Sequence, residues 1–201
     1  MPFSSSLPRI ALVGRTNVGK STLWNRLTET NRALVSNDPH TTRDRKFGSV
    51  TWRGQSFELV DTGGMDTESN EIGRNILLQS QRAIEEADLV LFIVDGKNGV
   101  LPQDQELARA MQKQRAKTWL VVNKIDTIKE MPQLAEPEIF KLHFGSPYPV
   151  SATTGLGIGD LLDEILIELD KRGRSMVPTE EKKALKIAIV GRPNVGKSSL
   201  T

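Results

Sequence analysis

Three short stretches carry residue types and spacings that could handle a phosphorylated ligand. Gly14-Arg15-Thr16-Asn17-Val18-Gly19-Lys20-Ser21 fits G-x-x-x-x-G-K-[ST]; it follows the apolar run Ile10-Ala11-Leu12-Val13 and leads into the helix-like Ser21-Thr22-Leu23-Trp24-Asn25-Arg26-Leu27. In that strand–turn–helix setting, glycines let backbone N–H groups curl around an anion at the positive end of a helix. Lys20 adds a point charge, and the Ser21 hydroxyl would reach a magnesium ion. A chance match in a glycine-containing turn is the alternative, and the flanking strand and helix argue against it.

The second stretch, Asp61-Thr62-Gly63-Gly64, has the form D-x-x-G at the end of a β-type run. Its carboxylate would hold the magnesium, often through water, and the Gly64 N–H would follow the terminal phosphate. Alone it reads as a common turn; downstream of a phosphate loop the functional reading dominates. The third, Asn123-Lys124-Ile125-Asp126, is the most informative. Guanine presents two adjacent donors, N1–H and the exocyclic amine, and one carboxylate accepts both, whereas adenine offers an acceptor at N1. Asp126 is therefore the expected base reader, with the Lys124 stem along the ring and Asn123 tying this loop to the phosphate loop. An ordinary polar turn after a strand is the bland reading. Ser151-Ala152 would offer the Ala152 N–H to the base oxygen, on position alone.

The elements that must hold these stretches are legible in outline. Residues 29–45 are polar and without period, which reads as a loop. Lys46 to Arg53 and Ser56 to Asp61 carry β-type residues around Gly54-Gln55 and predict a hairpin. A helix is expected over about Ile72 to Glu86, a central strand over Leu89 to Val94, a helix from Pro102 and a buried strand over Thr118 to Val122. Residues 127–144, with Pro132 and Pro137, predict one short helix. Pro149-Val150 reads as a last strand, and Ile158, Leu161, Leu162, Ile165, Leu166 and Leu169 predict an amphipathic helix ending near Gly173. Strands alternating with helices, and polar signatures at strand C-termini, predict an α/β fold. Its sheet would be mostly parallel and doubly wound, with one antiparallel strand, helices on both faces and one ligand crevice.

At 201 residues and 37% apolar content there is room for one such domain and not for a second. The net charge of +2 argues neither for nor against nucleic acid. With no cysteine, disulfides, thiolate catalysis and cysteine-based zinc sites are excluded, which fits an intracellular protein. The first eight residues do not read as a signal peptide, and the longest apolar run is too short to span a bilayer.

Residues 173–186 are polar and read as a linker. Beyond them Ile187 to Thr201, containing Gly191-Arg192-Pro193-Asn194-Val195-Gly196-Lys197-Ser198, repeats Ile10 to Trp24 at 11 of 15 positions, displaced by 177. The organisation expected is a complete domain over 1–172, the linker, and the start of a second such domain over 187–201, containing only its strand and phosphate loop.

Together these stretches resemble the P-loop GTPases, and specifically the Der (EngA) family of bacterial tandem GTPases. The matching residues are Gly14 to Thr22, Pro39-x-x-Thr42-Arg43-Asp44, Asp61 to Gly64, Asn123 to Asp126, Ser151-Ala152 and the second loop Gly191 to Ser198. The resemblance implies two G domains and a C-terminal KH-like domain in the longer protein, and a cytoplasmic role in assembly of the large ribosomal subunit. The partner would be a ribosomal subunit or its precursor, and ribosomal RNA could be its contact. It implies Thr42 as the switch threonine that reaches magnesium and the terminal phosphate. His40 stands where the family usually has Gly, which restricts the backbone of that loop.

Met65 occupies the place of the water-orienting glutamine of Ras-like enzymes, and a thioether can neither orient nor deprotonate water. Asn17 resembles the asparagine that in related GTPases binds a potassium ion in the place of an arginine finger. Stabilisation of the loop by a side-chain-to-backbone hydrogen bond is the other reading of Asn17. The groups expected to act on the reaction are thus Asn17, Lys20, Thr42 and Gly64, with Ser21, Thr42, Asp61 and Asn17 as metal ligands. The expected reaction is GTP hydrolysis, slow and potassium-stimulated. A nucleotide-dependent interaction module with negligible hydrolysis is the alternative. A P-loop ATPase is a third reading, opposed by Asn123 to Asp126.

Overall fold

The computed structural model describes residues 7–29, 46–61 and 83–174. Thr42, His40, Gly64, Met65, all but the last turn of the helix expected over 72–86, and the repeat over 187–201 lie outside those residues. The elements are β1 Arg9–Val13, α1 Lys20–Glu29, β2 Lys46–Trp52, β3 Gln55–Asp61, β4 Leu89–Asp95, α2 Pro102–Met111, β5 Thr118–Asn123, α3 Pro137–Phe140, β6 Tyr148–Pro149 and α4 Ile158–Lys171. One helical turn, 83–86, precedes β4.

Six strands form one sheet in the order β2-β3-β1-β4-β5-β6. β2 and β3 are antiparallel, and every other neighbouring pair is parallel. The alternation of side chains along a strand explains why the central strands carry unbroken apolar runs, Ile10 to Val13, Leu89 to Val94 and Trp119 to Val122. Ile10, Leu12, Leu91 and Ile93 face α1 and α4, where Leu23, Leu27, Leu161, Leu162, Ile165 and Leu169 cover them. Ala11, Val13, Val90, Phe92 and Val94 face the other way, onto Leu107, Ala108 and Met111 of α2 and onto Ile139, Leu142 and Phe144. All seven residues of β4 are buried.

Two details differ from the sequence expectation. The hairpin turn is Arg53-Gly54, both at positive φ, and Gln55 already pairs with Trp52, so the turn sits one residue earlier. Left-handed φ at both central positions matches the right-handed twist of the strands it joins. Residues 127–144 hold two helical pieces, a 3-10 segment Ile128–Ala135 and α3, because Pro137 suits the first turn of a new helix.

α1 lies close against β2. A β-carbon on Gly48 would stand 2.6 Å from a ring carbon of Trp24 and 2.7 Å from the Thr28 methyl. Gly48→Ala should therefore destabilise the chain by about 1–3 kcal/mol, the usual cost of overpacking, read from the urea unfolding midpoint. An unchanged midpoint would contradict this seating of α1 on β2.

Candidate nucleotide site

The described parts of the three stretches begin at the C-terminal ends of strands. β1 delivers Gly14, β3 ends in Asp61 and β5 ends in Asn123. The phosphate loop is tightly backed. A β-carbon on Gly14 would lie 2.4 Å from the Ile93 carbonyl oxygen, and one on Gly19, at φ 92°, 2.4 Å from Asn123 Nδ2. Only glycine allows the backbone to pass so close. Lys20, buried, donates from Nζ to the carbonyls of Gly14 at 2.9 Å and Arg15 at 2.7 Å. Ser21 and Thr22 are exposed on the first turn of α1, and Asp61 is buried beside Leu12 of β1. A backbone loop at a helix N-terminus with one lysine fits an anion, and a hydroxyl and a carboxylate are hard oxygen donors of the kind a magnesium ion takes.

Asn123 is the joint of the site. Its side chain is 1% exposed; Nδ2 donates to the Val18 carbonyl at 2.9 Å and Oδ1 accepts the Ala152 N–H at 3.0 Å. One amide therefore connects the phosphate loop to the loop after β6, as expected for the first connection. The Ala152 N–H, expected to be offered to a base oxygen, donates to Asn123 Oδ1 in this structure, where both groups are buried and each satisfies the other. Arg26 of α1 clasps the same loop, donating from Nε to the Ala152 carbonyl at 2.8 Å.

Lys124, at φ 70°, reaches across the crevice and donates from Nζ to the Asn17 carbonyl and to Asp95 Oδ2, each at 2.7 Å. Its stem thus lies between the two loops. Asp126 accepts the Ser151 hydroxyl on Oδ1 at 2.7 Å and the Lys97 ammonium on Oδ2 at 2.5 Å, and its N–H donates to Glu130. The bonds from Lys97 and Ser151 hold its carboxyl below the usual range, so it is an acceptor at neutral pH. Ser151, fully buried, also accepts the Thr154 N–H. Asn17 sits exposed at φ 63°, a left-handed conformation that Asn tolerates well. Arg15 turns its guanidinium away from the loop's open side into a buried pair with Asp104 of α2, Nε to Oδ2 at 3.1 Å. Among the described residues Arg15 Nη2 and Asp104 Oδ1 have no hydrogen-bond partner. Burial pushes the Asp104 carboxyl up, against the bonds from the Leu101 N–H and Arg15. Only the Arg15 backbone is left to face an anion.

Sequence reasoning missed Asp95, Lys97, Arg26, Asp104 and Glu130. The signal available was Asp95-Gly96-Lys97 at the end of β4, with charges opposite to Lys124-Ile125-Asp126 at the end of β5.

A family model described as 50S ribosome-binding GTPase matches residues 9–124. The protein named GTPase Der of Caldanaerobacter subterraneus subsp. tengcongensis is 46% identical over 192 residues, which is 95% of this chain and 43% of that protein. The chain thus spans less than half the length of the curated relatives it matches. Era in complex with MgGDPNP and a segment of 16S ribosomal RNA aligns with a TM-score of 0.64 at 30% identity, over 81% of this chain and 57% of that one. The FeoB G-domain of Methanococcus jannaschii aligns with a TM-score of 0.58 at 28% identity, over 82% of this chain and 99% of that one. The matched phosphate loop, the six-stranded sheet and the identity to Der across nearly all of this sequence place the chain in the Der family of GTPases, as a G domain.

Proposed function

We propose that this chain binds GTP and hydrolyses it to GDP and phosphate, and that the longer protein to which it corresponds uses the cycle as a switch on a ribosomal subunit or its precursor. The observation that carries the nucleotide reading is the Asn123 joint. It fixes an anion loop and a half-buried, ionised acceptor, Asp126, to one another, which suits a ligand with phosphates at one end and two adjacent donors at the other. Gly14 to Thr22 would take the phosphates, with Lys20 on their charge, and Asn123, Lys124, Asp126, Ser151 and Ala152 would shape the base pocket.

Magnesium, when bound, would neutralise charge on the phosphates. Ser21 and Asp61 are the oxygen donors proposed to hold it, with Thr42, while Gly64 would follow the terminal phosphate. The relatives' greater length supports a second G domain beginning at 187 after a linker over 173–186, with 1–172 as the first, and a KH-like domain beyond. Among the described residues no helix is long and apolar enough to cross a membrane. A cytoplasmic site of action is proposed from the family.

Asp126→Asn converts an acceptor into a partial donor and should weaken GTP binding by about 2–3 kcal/mol, roughly 30–150-fold, while xanthosine triphosphate gains. Calorimetry with both nucleotides checks this. Equal affinity for the two before and after the substitution would overturn Asp126 as the base reader.

Asn17 is the proposed ligand of an activating potassium ion. Among the described residues its side chain makes no hydrogen bond, which removes support from the loop-stabilising reading and leaves its carbonyl oxygen available at the mouth of the loop. Phosphate release from GTP should be about tenfold or more faster in potassium than in sodium at equal ionic strength. Asn17→Ala should abolish that difference while GTP binding survives. Rates indifferent to the cation would contradict the assignment, and no multiple-turnover release at all would favour the interaction module consistent with Met65.

A further inference from the structure

β4 and β5 end side by side, with Asp95 opposite Asn123. Past that register the chain runs Asp95-Gly96-Lys97 on one side and Lys124-Ile125-Asp126 on the other, so the charges are complementary. Two ion pairs result, Lys124 Nζ with Asp95 Oδ2 at 2.7 Å and Lys97 Nζ with Asp126 Oδ2 at 2.5 Å. They differ in their contact with water. The Asp95 side chain is fully buried and also accepts the N–H groups of Lys97 and Asn98 and the Asn98 amide. Lys97 and Asp126 are 51% and 29% exposed. A buried carboxylate with every oxygen bonded stays with its partners, whereas an exposed pair is weak and exchanges readily.

The second oxygen of Asp126 holds the Ser151 hydroxyl. Each oxygen of the proposed base reader therefore already carries one donor from the protein itself. Guanine would bring two more to the same carboxylate. Ser151 can share its oxygen, because a carboxylate oxygen has two lone pairs and the hydroxyl is neutral. An ammonium beside the base amine sets two donors of like partial charge against each other.

We propose that Lys97 is an intramolecular competitor of guanine: its ammonium holds the Asp126 carboxylate in the nucleotide-free chain and yields it to a base with two donors. This rests on the guanine-nucleotide reading above and adds a specificity-determining residue outside the signature stretches. A base with one donor, hypoxanthine, needs one oxygen only and leaves Lys97 on the other. Lys97 thus opposes guanine more than hypoxanthine and loosens the grip on guanine nucleotides.

The test measures the dissociation constants of GDP and IDP by calorimetry, at one low salt concentration, for the unsubstituted chain, Lys97→Met and Lys97→Arg. Both nucleotides carry the same phosphates, so the ratio of IDP to GDP dissociation constants cancels any attraction of Lys97 to them. In Lys97→Met that ratio should rise about threefold, as expected for loss of an exposed pair, and in Lys97→Arg it should stay put. A ratio unchanged or lowered in Lys97→Met overturns the competitor. Failure of the unsubstituted chain to bind GDP overturns the nucleotide reading itself, and the competitor with it.

Discussion

The buried Asn123 amide is the interaction on which the site depends. β1 and β5 are separated in the sheet by β4, and their loops have no backbone ladder in common. Asn123, at the end of β5, reaches the phosphate loop through the Val18 carbonyl and the loop after β6 through the Ala152 N–H. Burial makes the bridge exacting, because either partner left alone would be a desolvated polar group. It also dictates sequence elsewhere. Gly19 has no room for a side chain because Asn123 Nδ2 occupies the place of its β-carbon. The two requirements, a glycine in one loop and an asparagine more than a hundred residues later, are one constraint.

Around that joint the electrostatics are graded by solvent access. Asp95 with Lys124 is a fixed strut. Burial alone would raise the Asp95 carboxyl, but the bonds from Lys124, Asn98 and Lys97 outweigh it and hold the carboxyl below its ordinary value. Lys97 with Asp126 is the exchangeable counterpart, exposed and screened. Arg15 with Asp104 is a third kind, a buried pair with an atom on each side that has no partner among the described residues, linking the phosphate loop to the start of α2. That link makes an arginine of the phosphate-loop signature a structural residue.

Much of the fold was legible because period and position agree. Leu89 to Val94 is apolar throughout since both of its faces are covered, and Ile158 to Leu169 repeats at helical spacing since only one of its faces is. The three signatures were legible as local strings at strand ends. Pairings between distant residues were not. Lys97 and Asp126 lie 29 positions apart, marked only by opposite charges at the ends of two strands whose pairing the sequence does not state, and Arg15 and Asp104 lie 89 apart with nothing local to mark them. The bond between the Ala152 N–H and Asn123 joins residues 29 positions apart, which no local spacing encodes. In residues 127–144 the short pieces between prolines hold too few apolar residues to establish a period.

The central claim is that the joint is built by the fold itself, before any nucleotide arrives. The direct measurement is the unfolding free energy of Asn123→Ala without nucleotide, from urea titration. The account predicts a loss of about 2–4 kcal/mol, because the Val18 carbonyl and the Ala152 N–H are left buried and unpaired. Unchanged stability without nucleotide, with a loss appearing only when GDP is present, would contradict it.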